Sequence, residues 1–553
     1  MKTSIRTMCP QIALFFLTCF AFSTTAPAVS PPPDGGYSGG NTAEGQNALF
    51  SLTSGSFNTA VGFLSLRSIT SGRLNTASGA GALFLNTADE NTATGAAALL
   101  SNTTGSPNTA NGAFALFSNT SGNNNNAFGA QALQSNTTGP FNNAFGNGAL
   151  ASNTTGDRNT AIGEAALLAN TTGFQNVAIG VSALRNNSTG HNNIAIGQDA
   201  CSQSSGGQFN TAIGSDALVL NTGDGNTAIG GSTLFNNTAS ANTAIGNAAL
   251  SENTTGGTPG GSGTSEVGPN TAVGAIALFS NTTGGANTAV GFQALASTVD
   301  QGFSTAVGFK ALANSTLSYN DAFGYKALNS NTAGAGNTAI GALALLNNTT
   351  GIDNVALGNG AGVSQTNGAN NIYIGNSIPG IAGENNACYI GSIFGQMSNG
   401  LPVLIDASNK LGTNASSKRF KQDIKPMAQA SEGILALKPV TFHYKNDKDQ
   451  KAQFGLIAEE VAEVNPALVV RDKEGTPYAV RYDQVNAMLL NEFLKEHKKV
   501  EEQEKTIARV QSDLKSKLAD QEKQIEALRS GLQKVHAQLE VRKPVRQIVS
   551  NNQ

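Results

Sequence analysis

Residues 159–173 read NTAIGEAALLANTTG, residues 176–190 read NVAIGVSALRNNSTG, and residues 193–207 read NIAIGQDACSQSSGG. The phrase returns every 17 residues, and that period decides the fold. With the Asn of NTAIG as position zero, copies begin at 41, 58, 75, 91, 108, 125, 142, 159, 176, 193, 210, 226, 242, 270, 287, 304, 320, 337, 354, 371 and 387. The step is sometimes 16 and once 28, where TTGGTPGGSGTSEVG reads as a loop protruding from one coil. Position four is Gly in all 21 copies. Position two is Ala in all but the last two, which carry Tyr373 and Tyr389. Position seven is usually Ala, position eight usually Leu, and NTTG or a relative closes most coils.

Such a unit is too short for a pair of helices. It suits one coil of a narrow, left-handed or parallel β-solenoid or β-roll, with two short strands and two turns per coil. Strand alternation puts positions two and four on one face and positions one and three on the other. The first face, Ala and Gly, predicts a thin interior. Gly also permits the positive φ of a corner. Asn and Thr can bond locally at the turns and stack in ladders between coils. The second face carries Phe128, Phe145, Ile162, Ile179, Ile196, Ile213, Ile229 and Ile245 at position three. An apolar stripe that points away from the roll needs a partner, and self-association is the expectation. Twenty steps of about 4.8 Å give a rod of about 95 Å.

Around this repeat the composition is uneven. Only 12% of the 553 residues are charged, the net charge is −3, and there is no Trp. Charge is sparse over 35–391 and dense over 416–542. No nucleic-acid partner is expected from that balance. Lys2 and Arg6, the apolar run IALFFLTCFAF and the APA at 26–28 predict an export signal over 1–28, and hence a secreted or cell-surface protein. A linker fills 29–40, and no membrane span is expected in the mature chain. Cys201 and Cys388, about 50 Å apart along the rod, are too distant for a disulfide within the chain. Each reads as a small buried residue or a thiol near a symmetry axis. The scattered His191, His443, His497 and His536 make no metal-ligand pattern, and no cofactor or metal is expected. The recurring NTT sequons follow from the repeat and matter only in a glycosylating pathway.

The NTAIG..AL phrase resembles the head repeats of trimeric autotransporter adhesins, which form β-rolls packed as trimers. Those heads commonly use a shorter unit and end in a membrane-barrel anchor. This chain ends in VRKPVRQIVSNNQ after a polar helix, so outer-membrane anchoring is not carried over. A β-rich connector is expected over 392–415.

Beyond it come SSKRFKQDI (416–424), LKPVTFHYK (437–445), FGLIAEEVAEVNPALVV (454–470) and VRYDQVNAMLLNEFLKEHKKV (480–500). Four motifs in this order resemble the self-cleaving intramolecular chaperone domain of phage tail spikes, endosialidases and tail fibres, serine peptidase family seventy-four. The resemblance covers 416–510 as a small α/β domain. It implies a Ser–Lys dyad at Ser416 and Lys421, supported by Arg419, and cleavage between Ala415 and Ser416.

The chemistry is consistent with that implication. A Ser hydroxyl needs a base, and a Lys amine serves only when neutral, which burial or a neighbouring cation such as Lys418 or Arg419 favours. On a regular helix, five residues would leave Ser416 and Lys421 about 140° apart. A turn, or a Lys from a neighbouring chain, is therefore required. From spacing alone, both residues also fit a solvated basic linker. The reaction would occur once per chain, as a single-turnover autopeptidase.

Residues 486–541 predict one long helix overlapping that domain, with a coiled-coil seam. Val500, Ile507 and Leu514 step by seven, Val510 lies between, and Ile525, Leu528, Leu532, Val535 and Leu539 continue it after a stutter. Heptads leave strand number open; the trimer comes from the resemblance. A tail follows over 542–553. The expectation is an exported, fibrous, tail-fibre-like or adhesin-like homotrimer that cuts its chaperone away and meets a cell-surface or glycan ligand. The alternatives are an ice- or carbohydrate-binding solenoid using the Thr of position one, with an uncleaved coiled coil, and a peptidase acting in trans.

Overall fold

The computed structural model describes residues 37–257, 268–393, 403–405, 410–413, 415–445, 447 and 449–541. The expected export signal at 1–28, most of the linker at 29–40, most of the loop at 254–268, much of the connector at 392–415 and the tail at 542–553 lie outside them. The described residues fall into two compact units, 37–393 and 403–541.

The first unit is a parallel β-solenoid. Each coil contributes one short strand, from β1 (Thr42–Glu44) to β21 (Cys388–Ile390), and each strand pairs in register with the next. Thr160, Ala161 and Ile162 lie beside Val177, Ala178 and Ile179, for example. The expected second strand is not formed. Positions six and eight are left-handed in nearly every coil, with φ of 55° at Ala165 and 52° at Leu167. Positive φ cannot continue a strand, so this side is a chain of turns. Its amides still bond between coils: Leu167 N–H donates to the Ala183 carbonyl at 2.9 Å and Ala169 N–H to Arg185 at 2.8 Å. A left-handed Leu costs about 1–2 kcal/mol. Burying its side chain contributes about 1.5–3 kcal/mol. Leu167 is wholly buried, so burial carries the conformation.

The interior is thin, as the Ala and Gly positions predict. Ala at positions two and seven and Leu at position eight form one continuous core. The Gly of position four is required twice over. Gly180 sits at φ +135°, and a Cβ there would stand 2.4 Å from the Gly197 carbonyl oxygen of the next coil. Two ranks of buried Asn also line the interior. Asn176 Nδ2 donates to Asn159 Oδ1 at 3.1 Å and to the Gly190 carbonyl at 2.8 Å. In the second rank Asn170 Nδ2 donates to Asn153 Oδ1 at 2.7 Å and to the Gly173 carbonyl at 2.9 Å. That ladder breaks where its chemistry changes. Asn187 Oδ1, Asn281 Oδ1 and Asn348 Oδ1 lack partners, and the next coils place Ser204, Thr298 and Gln365 at the same position.

The last coils close the core. Tyr373 replaces the position-two Ala and is fully buried. It fits because Gly362 and Gly380 lie against its ring, where a Cβ would stand 2.7 Å and 2.6 Å from ring carbons. Gln365 Nε2 donates to the Tyr373 hydroxyl at 3.2 Å, Tyr389 stacks on Tyr373 at 5.7 Å, and the Tyr389 hydroxyl donates to Glu384 at 2.6 Å. Burial, with Glu384 and Tyr389 nearby, pushes the Tyr373 phenol up to about 12.

The position-three rank points outward, so a roll that buries both sheet faces is excluded for the single chain. Ile162 is 41% exposed, and Phe128 and Phe145 stack outside the roll at 4.9 Å.

The second unit is small and mixed. An antiparallel pair, β22 (Leu404–Ile405) with β23 (Leu411–Gly412), precedes it. A 3-10 turn (Lys418–Phe420) and a longer 3-10 helix (Ala428–Ala436) follow. Hairpin β24 (Val440–Phe442) with β25 (Gln453–Gly455), helix α1 (Ala458–Val464) and hairpin β26 (Val469–Arg471) with β27 (Pro477–Val480) come next. Helix α2 runs from Tyr482–Glu540, 59 residues or about 90 Å, and begins four residues before the predicted start. The buried core is Val461, Leu468, Val469, Val485 and Met488. The α2 residues of the predicted seam, from Val500 to Leu539, are exposed.

Candidate functional site

Ser416 lies just before the 3-10 turn, next to Ser417, whose backbone is extended. Ser417 caps that turn, its Oγ accepting from Arg419 N–H at 3.4 Å, and Lys421 ends it in an extended conformation. The chain therefore makes one tight turn between Ser416 and Lys421 and leaves helical geometry on both sides. Both side chains line a single open depression with Lys418, Gln422, Asp423 and Ile424. Asp423 holds the left-handed conformation, at φ 52°. Arg419 lies on the Phe420 ring, with its guanidinium carbon 4.9 Å from the centroid. Ala415, Ser416, Arg419 and Lys421 are all exposed, so the burial that favours a neutral amine is not provided within this unit.

A second polar cluster lies in the same unit and escaped sequence reasoning. Ser431 of the longer 3-10 helix is completely buried and donates to Glu492 on α2. Asn491 Nδ2 donates to Ser431 Oγ at 2.6 Å and to the Ala428 carbonyl at 3.1 Å. Lys495 bridges Glu492 at 2.7 Å and Glu432 at 3.5 Å. Lys495, then Ser431, holds the Glu492 carboxyl below its usual range. This clamp fixes where α2 leaves the domain body. Its partners are about sixty residues apart in sequence, and nothing in the local pattern marks them.

Elsewhere the titratable chemistry is sparse. Cys201 takes a position-eight Leu site and is buried, and burial pushes its thiol up to about 12, which makes it inert. Cys388 is exposed on the outer face of β21. The NTT sequons fall on the second buried Asn rank: Asn102, Asn136, Asn153 and Asn170 have no exposed surface. A glycan there is incompatible with the folded ladder. Among the described residues no cluster of three or more His, Cys, Asp or Glu could hold a metal ion, and no helix is long and apolar enough to cross a membrane.

Residues 416–470 match the Peptidase_S74 family, described as the chaperone of endosialidase. No curated protein and no solved structure matches the chain. The match opens at Ser416 and takes in the 3-10 turn, hairpin β24–β25 and helix α1. Residues 416–470 are thus a tail-fibre-type chaperone domain of the Peptidase_S74 family, carried on the same chain as a parallel β-solenoid.

Proposed function

We propose that the protein is an exported fibrous homotrimer, tail-fibre-like or adhesin-like, whose C-terminal chaperone assembles the fibre and then severs itself before Ser416. The observation that carries this reading is how little the chaperone unit buries. Five apolar side chains form its core, while Phe420, Leu435, Tyr444, Phe454, Tyr478 and Phe493 are each more than half exposed. A monomer exposing that much aromatic and aliphatic surface is an unfinished fold, and further copies of the chain are the partner of matching chemistry. The outward rank of the solenoid and the bare seam of α2 support the same inference.

In this scheme the Ser416 hydroxyl attacks the carbonyl carbon of Ala415, its own preceding residue, and Lys421 takes the hydroxyl proton. The tetrahedral intermediate collapses, the Ala415–Ser416 C–N bond breaks, and Lys421 returns the proton to the departing amine. Water then hydrolyses the resulting ester, leaving an Ala415 carboxylate and a Ser416 with a free α-amine. The nucleophile is held beside its target by the backbone, so the base is what assembly must supply. Packing of a second copy over the open depression would desolvate Lys421 and favour its neutral form. Arg419 supports that form as a neighbouring cation.

Denaturing electrophoresis with intact-mass measurement tests the scheme. The expected outcome is a break between Ala415 and Ser416, lost in Ser416→Ala and Lys421→Ala, with an unheated band at trimer mass. An uncut, single-copy wild-type chain refutes it. The ice-binding alternative gains little support: the position-one Thr rank is interrupted at Asn126, Asn143, Val177, Ile194, Asp321, Val355, Ile372 and Cys388, so its longest unbroken run is the six Thr from Thr211 to Thr305.

A further inference from the structure

Three successive coils depart from the repeat in the same way. The residue after the corner Gly is small or polar in most coils but is Phe292, Phe309 and Tyr325 here. Their rings stack along the solenoid, with centroids 5.5 Å apart at each step. Phe309 and Tyr325 are followed by Lys310 and Lys326, and residues 37–391 contain no other lysine. Each ammonium rests on the preceding ring, 5.5 Å and 5.3 Å from its centroid. Among the described residues neither lysine makes an ion pair with a carboxylate.

These side chains lie beyond the corner Gly, off the sheet face that bears the position-three rank. They are poor material for a dry contact between copies, because burying two unpaired ammonium groups is costly. Two like charges one coil apart, about 4.8 Å along the axis, repel each other. An anionic partner removes that repulsion. The rings beside them are 41% (Phe292), 41% (Phe309) and 48% (Tyr325) exposed, so the partner must also present an apolar surface. A lone inorganic anion has none. Nucleic acid would engage only two cations, a weak electrostatic hold. A sugar ring with a carboxylate offers both C–H surface and charge.

We propose that the ridge formed by Phe292, Phe309, Tyr325, Lys310 and Lys326 is a docking site for an acidic polysaccharide of the uronic-acid class, lying along the solenoid axis. This goes beyond the assembly reading and does not depend on cleavage.

Affinity electrophoresis of the full chain through polygalacturonate, its fully methyl-esterified form and double-stranded DNA tests it. The wild type should be retarded by polygalacturonate, less so as salt rises, and hardly by the methyl ester. The Lys310→Gln/Lys326→Gln double variant should bind roughly five- to tenfold more weakly. Tyr325→Ala should also weaken binding while its circular dichroism stays that of the wild type. Equal retardation by the methyl ester, tighter binding to DNA, or an unaffected double variant overturns the proposal. Running the same series on Ser416→Ala separates its failure from failure of the cleavage scheme.

Discussion

Replacing Gly180 by Ala puts a methyl group where the next coil already stands. Gly180 has φ +135°, and its Cβ would lie 2.4 Å from the oxygen and 2.6 Å from the carbon of the Gly197 carbonyl. No side chain can move to relieve this, because the obstacle is backbone. The dihedral alone costs about 1–3 kcal/mol for a residue with a Cβ. Opening the contact to ordinary van der Waals distance requires the coils to part by about 1 Å. That stretches the bonds that join these two coils beside the clash, from Gly197 N–H to Ile179 (2.8 Å) and from Asp199 N–H to Val181 (3.0 Å). Two weakened hydrogen bonds add about 2 kcal/mol, for a total near 3–5 kcal/mol. In a solenoid each coil touches only its neighbours, so the damage should be local. Hydrogen exchange with mass spectrometry should show amides of the coils over 159–209 exchanging roughly a hundredfold faster or more, with distant coils unchanged. Gly225 is the control. It has φ +66° with nothing within 4 Å of a built Cβ, and other coils place Asn192 or Asn370 there with φ near 58°. Gly225→Asn should exchange like the wild type. If Gly180→Ala is as protected as Gly225→Asn, the coil spacing inferred from the Gly corner is wrong.

Two predictions concern ionisation. Tyr373 is raised to about 12 in the folded chain, against about 10 unfolded, so the cap is fully stable below pH 10 and loses stability as pH rises toward 12. Near-ultraviolet absorbance should show one phenol ionising well after most of the others, a step missing in Tyr373→Phe; a single shared step near pH 10 would contradict the buried cap. Glu492 is lowered instead, by Lys495 and then Ser431, so its contribution is present at neutral pH and lost as pH falls through and below the usual carboxylate range. Exchange over 428–436 should quicken on acidification, and Glu492→Gln should reproduce this at neutral pH; unchanged protection in that variant would show that α2 is held by other contacts.

The sequence made the solenoid legible because its signals were local and repeated. The period gave the coil, the Ala of position two gave the thin interior, and Ile162 and its equivalents showed which face was left bare. The turn side of the coil was hidden. Ala165, Phe114 and Ile276 occupy position six with no preference for left-handed φ, so nothing in their chemistry marks a turn. The Asn ranks were read as turn-formers that stack, yet they lie inside, because a polar side chain that bonds its copy above and below is satisfied without water. The motif around Ser416 was legible as a resemblance. The Ser431–Glu492 clamp was not, because its meaning exists only once α2 has packed on the 3-10 helix.

A shaft of near-identical coils has a difficulty that its own stability does not solve. Under the proposed assembly, copies meet through the rank at position three, where Ile162, Ile179, Ile196 and Ile213 succeed one another almost unchanged. Sliding one copy by a single coil, about 4.8 Å, sets Ile against Ile again. The alternatives are nearly equal in energy, so the face that drives association cannot choose among them. Only non-repeating chemistry can. The outward Phe128–Phe145 stack is one such mark within the shaft, but the largest lies in the chaperone unit and α2, whose exposed apolar residues are not spaced at the coil period. A module that must be complete before it buries its own surface tolerates one alignment and penalises the rest. In the proposed scheme, coupling cleavage to that burial would make the choice irreversible: copies in register would lose the chaperone, while slipped copies would keep it and could separate and try again.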